Sequence, residues 1–136
     1  MDFPAPQPHP THNGGLSDGW RTVSLLTWIG VFGALLSIAV SSRTIGRPIW
    51  WLGPSGNPAP MIFLLVPIVL TITPIVVAMR WPQQIVRTGL VCSLALLVTA
   101  IADFSRSPAI AWAVSVVAVA ALVETIALLL VSRHYR

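Results

Sequence analysis

The stretch MIFLLVPIVLTITPIVVAM, Met61 to Met79, carries no charged side chain and ends at Arg80-Trp81-Pro82. At about 1.5 Å per residue, a helix of this length reaches roughly 28 Å, close to the roughly 30 Å of hydrocarbon in a bilayer. Backbone amides in that medium need internal partners, which a helix supplies and an irregular chain does not. Arg80, Trp81 and Pro82 then mark the exit: a cation and an indole suited to headgroup depth, and a residue without an amide hydrogen. The stretch predicts a transmembrane helix.

Three more blocks repeat the pattern. Val23 to Ser41 is also free of charge. Thr88 to Phe104 is shorter and extends back to Ile85 if Arg87 snorkels to the headgroups. Ala109 to Ser132 follows the turn Phe104-Ser105-Arg106-Ser107-Pro108, where Ser107 suits an N-cap and Pro108 the first helical position. So short a turn implies an antiparallel hairpin. The fold class is therefore an all-α integral membrane protein with four transmembrane helices, spanning about 23–41, 61–79, 88–104 and 109–132. Residues 1–19, with Pro4, Pro6, Pro8, Pro10, Gly14 and Gly15, read as a disordered Pro-rich tail before a four-helix transmembrane domain, 20–136. Ser17 or Asp18 suits the cap of the first helix. Ala39-Val40-Ser41 has the small residues of a leader cleavage site, but one Arg against two Asp precedes it; without basic flanks it is read as uncleaved.

Composition agrees. Hydrophobic residues make up 55% of the 136 and charged residues 9%, against about 25% charged in a soluble domain; the mean hydropathy is +0.81. No stretch remains for a second globular domain. The net charge of +4 comes from eight Arg, no Lys and four acids. The Arg stand singly or in pairs at block edges, which is membrane-flank placement and not a nucleic-acid-binding stripe. Arg21, Arg80, Arg87, Arg133 and Arg136 fall on one side, and Arg43, Arg47 and Arg106 on the other, which favours both termini in the cytoplasm. The lack of Lys beside abundant Ala, Val and Arg matches a GC-rich bacterial genome, a codon argument that suggests a bacterial inner membrane. Cys92 is the only cysteine and lies within a block, so neither an intrachain disulfide nor a Cys-rich metal site is available.

Between the first two blocks, Ser42 to Pro60 contains Gly46, Pro48, Gly53, Pro54, Gly56, Pro58 and Pro60, too many breakers for a helix. Its middle, Ile49-Trp50-Trp51-Leu52, is expected to lie on the membrane interface. Trp20, Trp50, Trp51 and Trp81 are the expected interface anchors.

Glu124 is the one ionisable side chain deep inside a block. A carboxylate there is costly, so it is expected to turn inward, find a donor or stay protonated. It shares a small-residue stripe with Ala113, Ala120 and Ala127, a pattern that lets helices approach closely. A second stripe runs along the first span through Thr27, Gly30, Ala34, Ser37 and Ser41, with Gly33 adjoining. Pro67 and Pro74 each free a backbone carbonyl, with Thr71 and Thr73 between them. Together with Glu124 they could line an ion or substrate path, or Pro67 and Pro74 could be kinks that neighbouring hydroxyls satisfy; the kink and a packing role for Glu124 are the preferred readings. Asp103 and Arg106 are expected to form an exposed surface pair. His9 and His12 lack a preorganised third ligand. No hydrolase constellation or phosphate cradle is present, so no enzymatic activity, cofactor or metal is expected.

Size and four spans resemble the small multidrug resistance transporters, whose diagnostic glutamate lies in the first helix, where this chain has no acid. Trp50-Trp51-Leu52-Gly53 resembles the first extracellular loop of claudin-like four-helix proteins, without the cysteines that define that loop. Both resemblances end at topology. The expected function is a non-catalytic accessory, scaffold or assembly subunit, with the bilayer and a membrane protein or second copy as partners. The alternative is a small oligomeric transporter or channel built on Glu124 and the Pro-containing second helix.

Overall fold

The four apolar blocks become four helices in the computed structural model, which describes residues 18–134. They are α1 (Asp18–Thr44), α2 (Met61–Arg80), α3 (Ile85–Asp103) and α4 (Pro108–His134), and a 3-10 turn, Pro82–Gln84, leads into α3. Each is long and apolar enough to cross a membrane, and no strand occurs among the described residues. The Pro-rich segment 1–17, with His9, His12 and Ser17, lies outside the described residues, as does Arg136.

Helix ends differ from the expected block edges for local reasons. Asp18 and Gly19, expected in the tail, open α1 instead. An acid in the first turn suits the positive end of the helix dipole, and the Thr22 hydroxyl donates back to Asp18 O at 2.9 Å. At the other end of α1, Gly46 takes φ +71°; its N–H donates to Arg43 O at 3.1 Å and that of Arg47 to Ser42 O at 3.0 Å. This paired closure uses carbonyls that the last turn would otherwise leave open. Ser107 stands before α4 and its carbonyl accepts from Ala111 N–H at 3.0 Å. Its hydroxyl, however, is buried without a partner, so the expected side-chain cap does not form.

The helices form a ring in which α1 packs on α2 and α4, and α3 on the same two; α2 and α4 sit across a diagonal. The larger core cluster includes Trp28, Val31, Leu35, Leu96, Val114 and Ala118. A smaller one, Ala78, Ile85 and Leu128, has Trp20, Leu25 and Val86 against it. Since lipid tails are as apolar as Leu, dispersion and close fit hold such a bundle more than water exclusion does. α3 and α4 approach closely at Gly89, where a Cβ would lie 2.8 Å from Thr125 Oγ1. At one end, the α1 side chain of Arg21 reaches α2 and donates to Ala78 O at 2.7 Å and Met79 O at 2.6 Å, placing a cation on the negative end of the α2 dipole.

The loop after α1 departs most from expectation. Ile49, Trp51 and Leu52 are buried and belong to the main core cluster, so Trp51, 7% exposed, is a plug in the end of the bundle and not an interface anchor. Trp50 is half-buried and meets the Phe63 ring edge-on at 5.7 Å. The loop can turn inward because its backbone bonds are internal: Leu52 and Gly53 N–H donate to Ile49 O at 3.0 and 3.1 Å, and Ala59 N–H to Leu52 O at 3.1 Å. A buried loop requires such pairing. Trp81 is 53% exposed, as an anchor would be, and so is Trp112 at 63%, which sequence reasoning overlooked; Trp112 packs edge-on against Phe104 at 5.6 Å. Trp20 is half-buried against the smaller core cluster.

Candidate functional site

Glu124 projects from α4 at the contact with α1. Ser24 of α1, 1% exposed, lies beside the Glu124 carboxyl, yet Ser24 Oγ and Glu124 Oε1 are both buried without a hydrogen-bond partner. The second carboxyl oxygen lies 3.3 Å from Thr125 Oγ1, while that hydroxyl sits 2.9 Å from Ala121 O. A hydroxyl has one hydrogen to donate, and the shorter contact takes it. The site therefore sets a buried α1 hydroxyl against an acid and a hydroxyl of α4. No cluster of three His, Cys, Asp or Glu able to hold a metal occurs among the described residues.

The four residues of the sequence-predicted polar path do not converge. Pro67 and Pro74 face inward on α2, with Thr71 between them. The Thr71 hydroxyl is spent on Pro67 O at 2.7 Å and Ile68 O at 3.2 Å, not on the Phe63 or Leu70 carbonyls that the prolines free. Thr73 is exposed on the opposite face. A cavity of about 10 Å³ lies between the helices, walled in part by Leu35, Trp51, Pro67, Leu70 and Thr99. That is barely the space of one water. Glu124 does not line it, and its helix is diagonal to α2.

The two small-residue stripes are likewise not the faces that pack the bundle. On α1 the buried residues are Ser24, Trp28, Val31, Leu35, Ala39 and Ser42; Gly30, Gly33 and Ser37 are exposed and Ala34 half-buried. On α4 the buried alanines are Ala111, Ala118 and Ala121, while Ala120 is exposed and Ala113 and Ala127 half-buried. Turning about 100° per residue relates the stripes to each other. Arg21 marks the α2 flank of α1, and Ser24, beside Glu124, marks the α4 flank. Gly30, Ala34 and Ser37 lie on the α4 flank, rotated outward, and Ala113, Ala120 and Ala127 lie outward on the α1 flank of α4. Both stripes border one outer seam, with Glu124, half-buried, at its inner edge.

A second buried acid appears at the plugged end. Asp103, 2% exposed, was expected in a surface pair with Arg106. Instead its Oδ1 accepts the Trp50 N–H at 3.1 Å, and its backbone carbonyl accepts from Arg106 and Ser107 N–H at 3.0 and 2.8 Å. Asp103 thus ties the plug loop to the α3–α4 hairpin. Sequence proximity pointed to Arg106, whose charge still acts on the carboxyl; the hydrogen-bond donor is the backbone N–H of Trp50, 53 residues away.

Compared with models of protein families, with curated proteins and with solved structures, the chain matches none.

Proposed function

We propose that this multi-pass membrane protein is a non-catalytic accessory, scaffold or assembly subunit of a larger membrane complex, set in a bacterial inner membrane with both termini in the cytoplasm. The observation that carries the reading is the outer α1/α4 seam. Its Gly30, Ser37 and Ala120 are exposed and its Ala34, Ala113 and Ala127 only half-buried, and small residues bring their gain only when another helix lies on them. A carboxyl at the seam's edge adds to the reason for covering it, since an acid facing lipid is costly. The transporter alternative has less support: the cavity beside Pro67 is about 10 Å³, and Glu124 is not on its wall.

The test is a native-membrane pull-down with mass spectrometry, repeated with Gly30→Ile, which fills the seam, and Val98→Ile, on exposed α3 surface. Loss of a co-purifying membrane protein with the first variant and not the second supports the reading. Identical partner lists for all three proteins refute it. Proton or cation flux in liposomes that disappears in a normally assembled Glu124→Gln variant would make the transporter reading the better one. Accessibility labelling of Ser55→Cys and Ser105→Cys, each in a Cys92→Ser background, checks the orientation; labelling from the cytoplasmic side would reverse it.

A further inference from the structure

The inward prolines of α2 have an outward consequence. Pro67 and Pro74 face the bundle core, which leaves the opposite face of α2 to the surroundings. The lipid-facing side carries an open groove of about 290 Å³, walled in part by Ile68, Val69, Ile72, Thr73, Val76 and Trp81. At about 100° per residue, these residues centre opposite Pro67 and Pro74. The walls are apolar apart from the Thr73 hydroxyl. From Ile68 to Trp81 the helix rises about 20 Å, enough to cover the roughly 15 Å of hydrocarbon in one leaflet, half of the bilayer core.

The foot of the groove is different in kind. Trp81, 53% exposed, is an indole suited to headgroup depth. Beside it Arg80 is exposed, and the Arg21 guanidinium is fixed on the carbonyls of Ala78 and Met79. An apolar trough one leaflet long that ends at an indole and two cations is complementary to a single ligand chemistry: an acyl chain carrying an anionic headgroup. We propose that the outer face of α2 seats one anionic phospholipid from the leaflet at its C-terminal end, with a chain along Ile72 and Val76 and the headgroup at Arg80 and Arg21.

The experiment is native mass spectrometry of the full chain released from nanodiscs of equal phosphatidylglycerol and phosphatidylcholine. The wild type should retain one phosphatidylglycerol in preference to phosphatidylcholine. Val76→Trp, which fills the groove, should lower that occupancy at least tenfold, whereas Val98→Trp on α3 should retain it. Arg80→Gln should reduce the preference between the two lipids at least threefold. No retained lipid, no headgroup preference, or equal loss from Val76→Trp and Val98→Trp would overturn the proposal. Circular dichroism checks folding; should Val76→Trp not fold, the Arg80→Gln preference decides, an unchanged ratio counting against the seat.

Discussion

Two glycines of the plug loop share a backbone conformation and differ in their surroundings, so replacing each with alanine separates strain from crowding. Gly46 has φ +71° and Gly53 φ +66°, where an L residue costs about 1–2 kcal/mol. At Gly46 a Cβ would meet nothing within 4 Å. Gly46→Ala should therefore cost that strain alone, or roughly 5- to 30-fold in the ratio of closed to open loop at about 1.4 kcal/mol per factor of ten. At Gly53 the added carbon would run into the backbone of Ala59, Asn57 and Pro58, which cannot rotate away. Relief requires moving the strand of loop whose Ala59 N–H bonds Leu52 O at 3.1 Å, and that bond contributes about 0.5–1.5 kcal/mol more. The sum, about 1.5–3.5 kcal/mol, corresponds to roughly 10- to 300-fold. Hydrogen exchange of the Trp50–Ala59 amides in nanodiscs reads the ratio directly. Gly53→Ala should accelerate exchange clearly more than Gly46→Ala, with the helix amides of α2 and α3 unchanged. Equal acceleration by both, or none by Gly53→Ala, would refute the reasoning that the loop is a close-packed plug.

Three further outcomes follow from the contacts. Glu124→Gln keeps the shape and a polar group beside Ser24 and Thr125 and should leave native-gel mobility and stability unchanged, whereas Glu124→Leu should lose about 0.6–1.7 kcal/mol, the range for interhelical polar contacts in membranes, measured by denaturant titration in micelles. Asp103→Ala leaves the Trp50 N–H without its acceptor and should destabilise the closed loop by about 1–3 kcal/mol, read as faster exchange at Trp50; Asp103→Asn retains an acceptor oxygen and should be milder. Gly89→Ala sets a methyl against Thr125 and should cost about 1–3 kcal/mol, as overpacking does, in thermal unfolding, and Thr125→Ala in the same chain should restore most of it.

The helices were legible because lipid leaves one signal in the chain, the uncharged block. The facing of each helix was not. In water, a polar side would have shown which way α1 turns; between lipid and a bundle core both sides are apolar, so Gly30 and Gly33 read as packing residues when Trp28, Val31 and Leu35 fill that place. Trp50 and Trp51 have the composition of an interface, and only the turns at Gly46 and Gly53, with their internal hydrogen bonds, bring Trp51 inside. Glu124 was singled out by its charge alone, but Ser24 carried no mark among the serines, and Asp103 was read against its neighbour in sequence because nothing local pointed to Trp50.

The bond between Trp50 and Asp103 also sets an order of events at the ribosome. The loop is made first, and its acceptor is 53 residues further along. At the usual synthesis rate of about 5–20 residues per second, roughly 3–10 s pass before the carboxylate exists. During that interval α1 and α2 can already cross the bilayer while Trp51 has only part of its socket, since Leu96 and Val114 come from helices not yet made. Closure of the plug through Asp103 is thereby a late step, open to the chain only once α3 is complete.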